Sequence, residues 1–460
     1  MFIGRKDELD YFNERYQSPG GELLVVYGRR RVGKTETLKE FARGKEHVFY
    51  TCTECSDMEQ LQAYSGRMLG QNNGRYSSVF SGWRDALGGV EDLPGKGKKL
   101  LIIDEFPYMV RGNPSIPSIL QELWDRGLKK ENVMIILCGS AMSFIEKEIL
   151  AEKNPLYGRA TGILKMRPLG FYDVIRFFPS WSDTDRITAY AVLGGIPHYL
   201  LQFESGKGLA ENIKKKILSR GSVLYNEVEF LMHQEMRETA IYNTIIAAVA
   251  AGASRFSEIH DKTMIDKNKL SVYLKNLISL DILRREFSLE EGSGIKTNVQ
   301  RGLYSVSDPF FRFWYAFVFP NVSELEGGDI NGIYRSIIAP ALDEFVSRTY
   351  EEICREYLRT LNRQEKLPFH FSRIGRFWDK SREIDIMALG QDGGKCILGE
   401  CKYRRSAFDL SDMKKTLAKW ERPDEVYWYF FSRSGFTKGV MAAAAKPHLT
   451  LVSPAEMIKH

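Results

Sequence analysis

The stretch "ELLVVYGRRRVGKTETLKEFA", residues 22–42, constrains the fold more than any other part of the chain. An apolar, β-branched run is followed by the spacing G-x-x-x-x-G-K-T and then by a helical pattern. The two glycines, Gly28 and Gly33, let the loop curl so that successive N–H groups face one concavity. The helix N-terminus adds partial positive charge. The sequence therefore predicts a site for nucleotide phosphates between a buried strand and a helix.

Lys34 and Thr35 carry the chemistry of this loop. A lysine at this position reaches the β- and γ-phosphates of ATP, and the threonine hydroxyl ligates Mg²⁺. The three arginines of the loop either steer polyphosphate or are only solvated. The predicted nucleotide-binding residues of the loop are Gly28, Arg29, Arg30, Arg31, Val32, Gly33, Lys34, Thr35 and Glu36.

Two further apolar runs end in polar residues. "KKLLIIDEFPYM" (98–109) predicts a buried parallel strand with Asp104 and Glu105 at its carboxyl end, where α/β sheets place their ligand chemistry. We expect Asp104 to belong to the Mg²⁺ shell and Glu105 to polarise the attacking water. "NVMIILCGSAMSF" (132–144) predicts a third strand that ends near Ser140, whose hydroxyl would reach the γ-phosphate or that water.

The middle of the chain has a different pattern. Residues 170–235 show helical apolar spacing with short breaks, which predicts an all-α lid. From residue 236, three helices and two strands around a glycine-rich segment predict a winged helix-turn-helix. Such a module either binds DNA through its third helix or serves only for packing and regulation. The cations that would meet phosphates are Lys267, Lys269, Lys275, Arg284, Arg285 and Lys296.

The segment 304–321, "YSVSDPFFRFWYAFVFPN", is dense in aromatic residues. A stacking platform for bases would interleave aromatics with cations, but only Arg312 interrupts this run. The sequence therefore predicts a buried linker between two domains rather than a nucleic-acid surface.

The C-terminal stretch 382–405, "REIDIMALGQDGGKCILGECKYRR", predicts a hairpin that turns at Asp392-Gly393. This turn sets Asp385 opposite Glu400 and Glu383 opposite Lys402, with all four side chains on one face. Ile384, Ile386, Ile397 and Cys401 would then line the other, core-facing side. Two carboxylates that bind Mg²⁺ and a lysine that orients water make a metal-dependent phosphodiesterase site. The alternative is a Glu383–Lys402 salt bridge among solvated acids.

The bulk composition sets broader limits. A net charge of +6 over 460 residues permits a polyanionic partner without demanding one. The N-terminal segment is charged from its fifth residue, and no apolar run is long enough to span a bilayer. We therefore expect a cytoplasmic protein of about three domains without a membrane partner.

Several motifs together resemble the AAA+-related archaeal-type ATPases, on the STAND side of the P-loop superfamily. They are "FIGRKDEL" at the start, the two nucleotide motifs, "ILCGS", "NPLYGR" (154–159) and "GGIPHYL" (194–200). The resemblance implies that Ile3, Gly4 and Arg5 lie by the adenine and that Ser140 is the first sensor. It also implies that Gly195 and Pro197 approach the nucleotide from the lid. Arg159 is either an arginine finger, in cis or in trans, or a structural arginine.

The spacing Asp385-x₁₄-Glu400-x-Lys402 resembles the PD-(D/E)xK nuclease superfamily. Glu351, in "YEEICREYL", matches the helical glutamate that often accompanies that site. No proline precedes Asp385, which is a departure at a variable position. The resemblance implies that Glu351, Asp385 and Glu400 are metal ligands.

The predicted fold class is α/β. The domains would be a P-loop, AAA+-like ATPase core at 1–170, a helical lid at 171–235, a winged helix-turn-helix at 236–318 and a restriction-endonuclease-like α/β domain at 319–460. The predicted function is an ATP-hydrolysing, Mg²⁺-dependent switch coupled to a nuclease-like domain that binds DNA or another nucleic acid. The alternative is a non-catalytic STAND-type regulator; a transport or recombination motor would require assembly of a homo-oligomeric ring.

Overall fold

The computed structural model describes residues 2–71, 79–94, 96–289, 302–391, 394–420, 425–445 and 447–459. Lys296 of the predicted wing and the predicted Asp392-Gly393 turn lie outside these residues. The chain divides into two compact units. The first comprises Met1–Leu169 with Ile196–His198, and the second comprises Gly170–Gly195 with Tyr199–His460. The first division therefore falls beside the boundary expected at residue 170.

The first unit is built on a five-stranded parallel sheet with the order β2-β3-β4-β1-β5. Its strands are β1 (Glu22–Tyr27), β2 (His47–Thr51), β3 (Lys99–Asp104), β4 (Val133–Gly139) and β5 (Gly162–Lys165). Its helices are α1 (Lys6–Gln17), α2 (Lys34–Ala42), α3 (Asp57–Gln71), α4 (Trp83–Gly88), α5 (Phe106–Gly112), α6 (Ile116–Leu123) and α7 (Met142–Phe144). Strands β1 and β4 are buried along their whole length, as the apolar runs predict for a parallel sheet covered on both faces.

The second unit begins with helices. They are α8 (Phe171–Val174), α9 (Asp183–Leu193), α10 (Pro197–Leu200, which starts in the first unit), α11 (Leu209–Asn212), α12 (Glu227–Glu235), α13 (Thr239–Ala250), α14 (Phe256–Thr263) and α15 (Lys267–Ser279). An antiparallel pair follows, formed by β6 (Leu283–Glu286) and β7 (Leu303–Val306). Three helices and two strands thus follow one another in the predicted order. The Asp266 carboxylate caps α15 by accepting from the backbone N–H groups of Asn268 and Lys269.

The aromatic segment after β7 is buried, as predicted. It opens with α16 (Pro309–Phe313) and leads through α17 (Val322–Glu326) and α18 (Ile330–Ile333) to the long helix α19 (Ala339–Arg363). The rings of Phe310, Phe311, Phe313 and Trp314 are at most 2% exposed. They therefore form part of the core and cannot stack on bases.

A second, mixed five-stranded sheet completes this unit, with the order β12-β11-β10-β9-β8. Its strands are β8 (Phe371–Trp378), β9 (Glu383–Gly390), β10 (Lys395–Lys402), β11 (Glu425–Ser432) and β12 (Leu449–Val452). The remaining helices are α20 (Leu410–Leu417), α21 (Lys438–Ala443) and α22 (Pro454–Ile458). Strands β8, β9 and β10 pair antiparallel, whereas β11 and β12 add in parallel.

The predicted register of the β9–β10 hairpin is confirmed. Leu389 pairs with Cys396 and Ile386 with Gly399, as predicted, whereas the pairing of Asp385 with Glu400 stays a prediction. The recorded pairing stops at Ile386, one step short of those two acids. The sheet has apolar clusters on both sides, so the face opposite the predicted core side is covered as well.

The two sides of this sheet have separate cores. Tyr350 and Leu358 of α19 pack with Ile386 and Ile397 on one side. Met387, Leu398 and Trp420 pack together on the other. Ile384 was expected on the same side as Ile386 but packs in this second cluster. The pairing of β8 with β9 shifts register nearby, between Gly375 and Phe377. No helix within the described ranges is both long and apolar enough to cross a bilayer.

Candidate functional site

The loop between β1 and α2 holds Lys34 over its own backbone. The Lys34 ammonium donates to the carbonyl oxygens of Gly28 and Arg29, each at 2.9 Å. Lys34 is only 5% exposed, and this burial lowers the pKa of its ammonium group. A buried ammonium whose hydrogen bonds go to neutral carbonyls gains strongly from an arriving phosphate, so the loop fits a nucleotide phosphate.

Two glycines of this loop are required by the backbone. A Cβ on Gly28, whose φ is 156°, would lie 2.4 Å from the Met166 carbonyl oxygen. Gly33 has a φ of 96°, and a Cβ there would lie 3.6 Å from Pro197 Cγ. Pro197 is therefore packed against the loop within the first unit, whereas its approach to the nucleotide stays a prediction. Gly195 belongs to the second unit.

Thr35 and Asp104 meet at the carboxyl end of the sheet. The Thr35 hydroxyl donates to Asp104 Oδ2 at 2.7 Å, which joins the start of α2 to the end of β3. Asp104 is 1% exposed. A hydroxyl and a carboxylate in contact offer the hard oxygen atoms that Mg²⁺ prefers, so these two residues fit the predicted ion.

Glu105 follows Asp104 in a left-handed conformation, with a φ of 52°. Its Oε2 accepts the Ser140 hydroxyl at 2.9 Å and the Ser140 backbone N–H at 3.3 Å. Left-handed backbone is uncommon for residues other than glycine and marks positions where the surrounding structure imposes the geometry. The structure therefore brings together the predicted catalytic acid and the predicted sensor.

Arg5 has a partner set that the sequence did not reveal. Its guanidinium donates to the carbonyl oxygens of Val32 and Arg167 and to Glu8. The side chain is 4% exposed. Arg5 thus ties the N-terminal segment to the backbone of the phosphate loop. Ile3 is also buried, whereas the predicted contact of Ile3, Gly4 and Arg5 with adenine stays a prediction.

The other predicted cations of this unit differ in their surroundings. Arg159 donates from Nε and Nη2 to Asp125 Oδ2, at 3.0 and 2.8 Å, and from Nη1 to the Pro155 carbonyl at 3.0 Å. Arg29 and Arg30 are half-buried, and Arg31 is exposed. Glu36 is exposed and pairs with Lys39 at 2.8 Å. The role of Arg159 as an arginine finger and the steering of polyphosphate by the loop arginines therefore stay predictions.

The C-terminal acids form a second polar cluster. Glu400 is 3% exposed, and its two oxygens accept from two different lysines. Lys402 Nζ lies 2.6 Å from Oε1, and Lys419 Nζ lies 2.9 Å from Oε2. Asp385 Oδ2 accepts the backbone N–H of Cys401 at 2.8 Å. Asp385, Glu400 and Lys402 are therefore gathered at one end of β9 and β10, and Lys419 joins them from outside the predicted motif.

Burial raises the pKa values of two carboxylates in this cluster. Burial, followed by the charge of Glu400, raises the pKa of Asp385 to about 6. Burial, followed by the charge of Asp385, raises the pKa of Glu351 to about 7. Glu351 Oε2 lies 3.6 Å from Arg376 Nε and 3.8 Å from Arg355 Nη1. The charge of Glu400 thus acts on Asp385 and that of Asp385 on Glu351, while Glu351 also lies beside two arginines.

Within the described parts of the chain, no three His, Cys, Asp or Glu side chains are arranged to hold a metal ion. A third carboxylate ligand is therefore not in place in this conformation. Asp385 and Glu400 still offer carboxylate oxygens at the same end of β9 and β10, and carboxylate oxygen is the donor type that Mg²⁺ uses with one or two protein ligands. The pair fits a divalent cation, whereas the inclusion of Glu351 does not follow from the geometry.

An ion-pair network beside this cluster was not predicted. Arg284 of β6, expected on the wing, instead pairs with Glu352 of α19 and with Glu286. Arg376 of β8 pairs with Glu383 and lies 3.7 Å from Glu286, so Glu383 does not pair with Lys402. Arginine and glutamate residues on separate elements give no periodic signal, which is why the sequence did not reveal the network.

The chain beyond β6 also bonds to the edge of the second sheet. The Leu289 N–H donates to the Arg376 carbonyl at 2.8 Å. The Ser288 hydroxyl donates to the Trp378 carbonyl at 2.7 Å and accepts the Trp378 N–H at 2.9 Å. These bonds satisfy backbone groups of β8, the edge strand, and cover part of that edge.

Two family models match the chain. Residues 2–203 match an ATPase domain predominantly from Archaea. Residues 314–416 match a family described as archaea bacterial proteins of unknown function. The first match spans the strands and loops that hold Lys34, Asp104, Glu105 and Ser140.

Known proteins resemble the chain in sequence and in fold. An uncharacterized protein of Methanocaldococcus jannaschii is 32% identical over 414 residues, which are 90% of this chain and 89% of that protein. An uncharacterized ATP-binding protein of the same organism is 41% identical over 46 residues, 10% of this chain and 78% of that protein. The fold is similar to that of a Walker-type ATPase of Pyrococcus abyssi, with a TM-score of 0.51, 21% identity and coverage of 68% of this chain and 96% of that chain. The chain is therefore an archaeal-type P-loop ATPase, and it belongs to the same family as the first of these M. jannaschii proteins.

Proposed function

We propose that this protein is an ATP-hydrolysing switch whose second unit carries a winged helix (236–318) and a PD-(D/E)xK-like domain (319–460) that act on DNA. The observation that carries the proposal is that both polar constellations occur on one chain. Thr35, Asp104, Glu105 and Ser140 are joined at the first sheet. At the second sheet, Lys402 donates to Glu400, and Asp385 accepts the N–H of the adjoining Cys401.

In the ATPase site, Thr35 and Asp104 would hold Mg²⁺, which neutralises charge that develops on the phosphates. Lys34 leaves its carbonyl partners and binds the β- and γ-phosphates. Glu105 accepts a proton from the attacking water, because its carboxylate lies at the carboxyl end of β3 beside the loop. Ser140 holds Glu105 in place through the hydrogen bond at 2.9 Å. Arg159 remains a candidate for the cation that meets the γ-phosphate.

The winged helix supports DNA binding through α15. Its buried side consists of Leu270, Tyr273, Leu274 and Leu277. The opposite side is exposed and carries Lys267, Asn268, Lys269, Val272 and Lys275. Lysines suit phosphate oxygens, an asparagine suits an adenine edge, and an apolar side chain suits a thymine methyl group. Arg284 does not take part, because it is paired inside the unit.

In the second site, Asp385 and Glu400 would share a divalent cation, which polarises a phosphodiester. Lys402 orients the attacking water beside Glu400. The mixed sheet, the α19 helix against it and the confirmed register support the PD-(D/E)xK interpretation.

Two variants test the ATPase site. Lys34→Ala should abolish ATP binding, whereas Glu105→Gln should bind ATP normally and lose hydrolysis, since only the proton acceptor is removed. Lys39→Ala, on the exposed side of α2, is the matched control and should keep wild-type turnover. Undiminished hydrolysis in both Lys34→Ala and Glu105→Gln would contradict the assignment of these residues.

The DNA-directed part needs binding and cleavage assays. Removing Lys267, Lys269 and Lys275 together should weaken duplex binding and reduce its salt dependence, because phosphate contacts release counterions. Mg²⁺-dependent nicking by the wild type should disappear in Asp385→Ala and in Lys402→Ala. Lys414→Ala, an exposed lysine of α20, should leave nicking unchanged.

The alternative is a non-catalytic regulator whose second unit binds nucleic acid or protein without cutting. One observation favours it: both oxygens of Glu400 already have lysine partners, and Asp385 already accepts a backbone N–H. If the wild type cleaves neither DNA nor RNA, with and without ATP, this alternative replaces the nuclease proposal. Size measurement with ATP would show whether the chain assembles.

A further inference from the structure

Glu400 is bound by a lysine that lies outside the Asp…Glu-x-Lys motif. Lys419 Nζ is 2.9 Å from Glu400 Oε2, and this oxygen is not the one that Lys402 contacts. The Glu400 side chain is 4% exposed, whereas each lysine side chain is 32% exposed. One buried carboxylate therefore has two ammonium partners, and both ammonium groups can reach solvent.

The position of Lys419 is fixed by its neighbours. It follows α20 in a turn where its backbone N–H donates to the Thr416 carbonyl at 3.0 Å. The next residue, Trp420, is 7% exposed, and its ring meets the Phe377 ring edge-on with centroids 5.4 Å apart. This buried tryptophan anchors the turn. Lys414 and Lys415 of the same helix are exposed instead.

The arrangement matters because Glu400 is also the residue that a divalent cation would need. Buried charges require pairing, and here the second ammonium supplies one elementary charge at the free carboxylate oxygen. A divalent cation that binds Asp385 and Glu400 must compete with this ammonium. Once displaced, the Lys419 ammonium would lie beside the ion. Its three N–H groups could then donate hydrogen bonds to a phosphate oxygen.

We propose that Lys419 is the resident cation of this acidic cluster. It occupies the second oxygen of Glu400 when no divalent ion is bound, and it turns to a phosphate of the nucleic acid when one is. This inference rests on the proposed function of the second site and adds to it a residue that governs both metal entry and substrate binding.

The test is calorimetric titration of the full chain with Mn²⁺ alone, without nucleotide. All proteins carry Asp104→Asn so that the ATPase site loses its proposed Mg²⁺-binding carboxylate. In this background, Lys419→Ala should bind Mn²⁺ about tenfold more tightly, a gain of about 1.4 kcal/mol. Lys415→Ala is the matched control and should bind as the background does. Adding Asp385→Asn should remove the tight binding.

The same variants should separate metal binding from substrate binding. With saturating Mn²⁺, Lys419→Ala should bind a short DNA duplex several-fold more weakly, whereas Lys419→Arg should restore binding because it keeps the charge. Lys419→Met is the second variant if Lys419→Ala unfolds, since it keeps the length of the side chain. Unchanged or weaker Mn²⁺ affinity in folded Lys419→Ala and Lys419→Met overturns the inference.

The outcomes distinguish this inference from the proposed nuclease function. If the wild type nicks DNA and Lys419→Ala changes neither Mn²⁺ nor DNA affinity, the inference fails and the nuclease proposal stands. If no cleavage occurs, yet Lys419→Ala gains Mn²⁺ binding that Asp385→Asn removes, the inference stands and the nuclease proposal fails. If neither protein binds Mn²⁺, both fail.

Discussion

The Ser140 hydroxyl donates a 2.9 Å hydrogen bond to the carboxylate of Glu105. Ser140 directly follows β4 and Glu105 directly follows β3, so the bond links the ends of two neighbouring strands. A Cβ on Gly139 would lie 2.8 Å from Pro107 Cδ, which explains the glycine between β4 and the serine. The carboxylate that would activate water is thus oriented by the adjacent strand.

Replacing Ser140 by alanine should lower the kcat of ATP hydrolysis about tenfold, because a hydrogen bond to a charged group contributes roughly 1.5–3 kcal/mol. The KM for ATP should change little, since the serine acts on the water rather than on nucleotide binding. Steady-state kinetics measure both values. Ser140→Thr should recover most of the activity because it keeps the hydroxyl, and Ser143→Ala of α7 is the neighbouring control. An equal loss in Ser140→Thr would argue against a positioning role.

Arg5→Ala should destabilise the phosphate loop. The change leaves the buried carbonyl oxygen of Val32 without this donor, which costs about 1–3 kcal/mol, and removes a part-buried bond to the Arg167 carbonyl. We expect a lower free energy of unfolding in urea and a weaker Kd for ATP. Lys6→Ala, an exposed neighbour, should change neither quantity. Normal ATP affinity in Arg5→Ala would show that the loop keeps its shape without this arginine.

Some features of this molecule follow directly from sequence patterns. The buried runs around residues 23–27, 100–104 and 133–139 were predictable because only parallel strands covered on both faces are continuously apolar. The β9–β10 register was predictable from hairpin geometry, although the turn itself lies outside the described residues. These rules need only the residue pattern of one continuous stretch of the chain.

Other features depend on contacts between distant elements. Lys419 reaches Glu400 from a turn beyond α20, and Arg284 reaches Glu352 from another strand. No spacing rule connects such residues. The second covered face of the C-terminal sheet was missed for the same reason, because Trp420 and Met413 cover it from α20 and its following turn. The tertiary fold alone decides these contacts.

Glu352→Gln should destabilise the protein by about 3 kcal/mol. The Arg284 guanidinium is half-buried, and the substitution removes one of its charged partners. The double variant Arg284→Met with Glu352→Leu should lose less, since both charges are gone. Chemical denaturation of the wild type, Arg284→Met, Glu352→Leu and the double variant measures the coupling. The exposed pair Lys215 and Glu211 provides the control, and its removal should have no measurable effect. Additive losses would show that Arg284 and Glu352 are not coupled.

The raised pKa of Glu351 predicts a pH-dependent stability. Burial favours its neutral form, so between pH 4.5 and about 7 the folded protein binds more protons at this residue than the unfolded chain does. The free energy of unfolding of the wild type should therefore fall as the pH rises through this window, relative to Glu351→Gln. Between the two pH values, the free energy of unfolding of the wild type should fall by on the order of 2 kcal/mol more than that of Glu351→Gln. Denaturation at pH 5 and pH 8 measures it.

The control for this experiment is Glu344→Gln, an exposed glutamate of the same helix. Its stability should follow the wild-type curve at both pH values. A pH dependence in Glu351→Gln equal to that of the wild type would show that Arg376 and Arg355 keep Glu351 ionised throughout.

Ile196–His198 belong to the first unit although the residues on both sides belong to the second. The polypeptide therefore passes from one unit to the other three times, and the ATPase part is discontinuous along the gene. A fragment that ends at residue 169 lacks Pro197, which packs against the Gly33 turn of the phosphate loop. A single proteolytic cut cannot release either unit intact. Biochemical dissection of this protein consequently depends on point substitutions in the whole chain, and recombination of its parts between relatives would have to exchange both segments together.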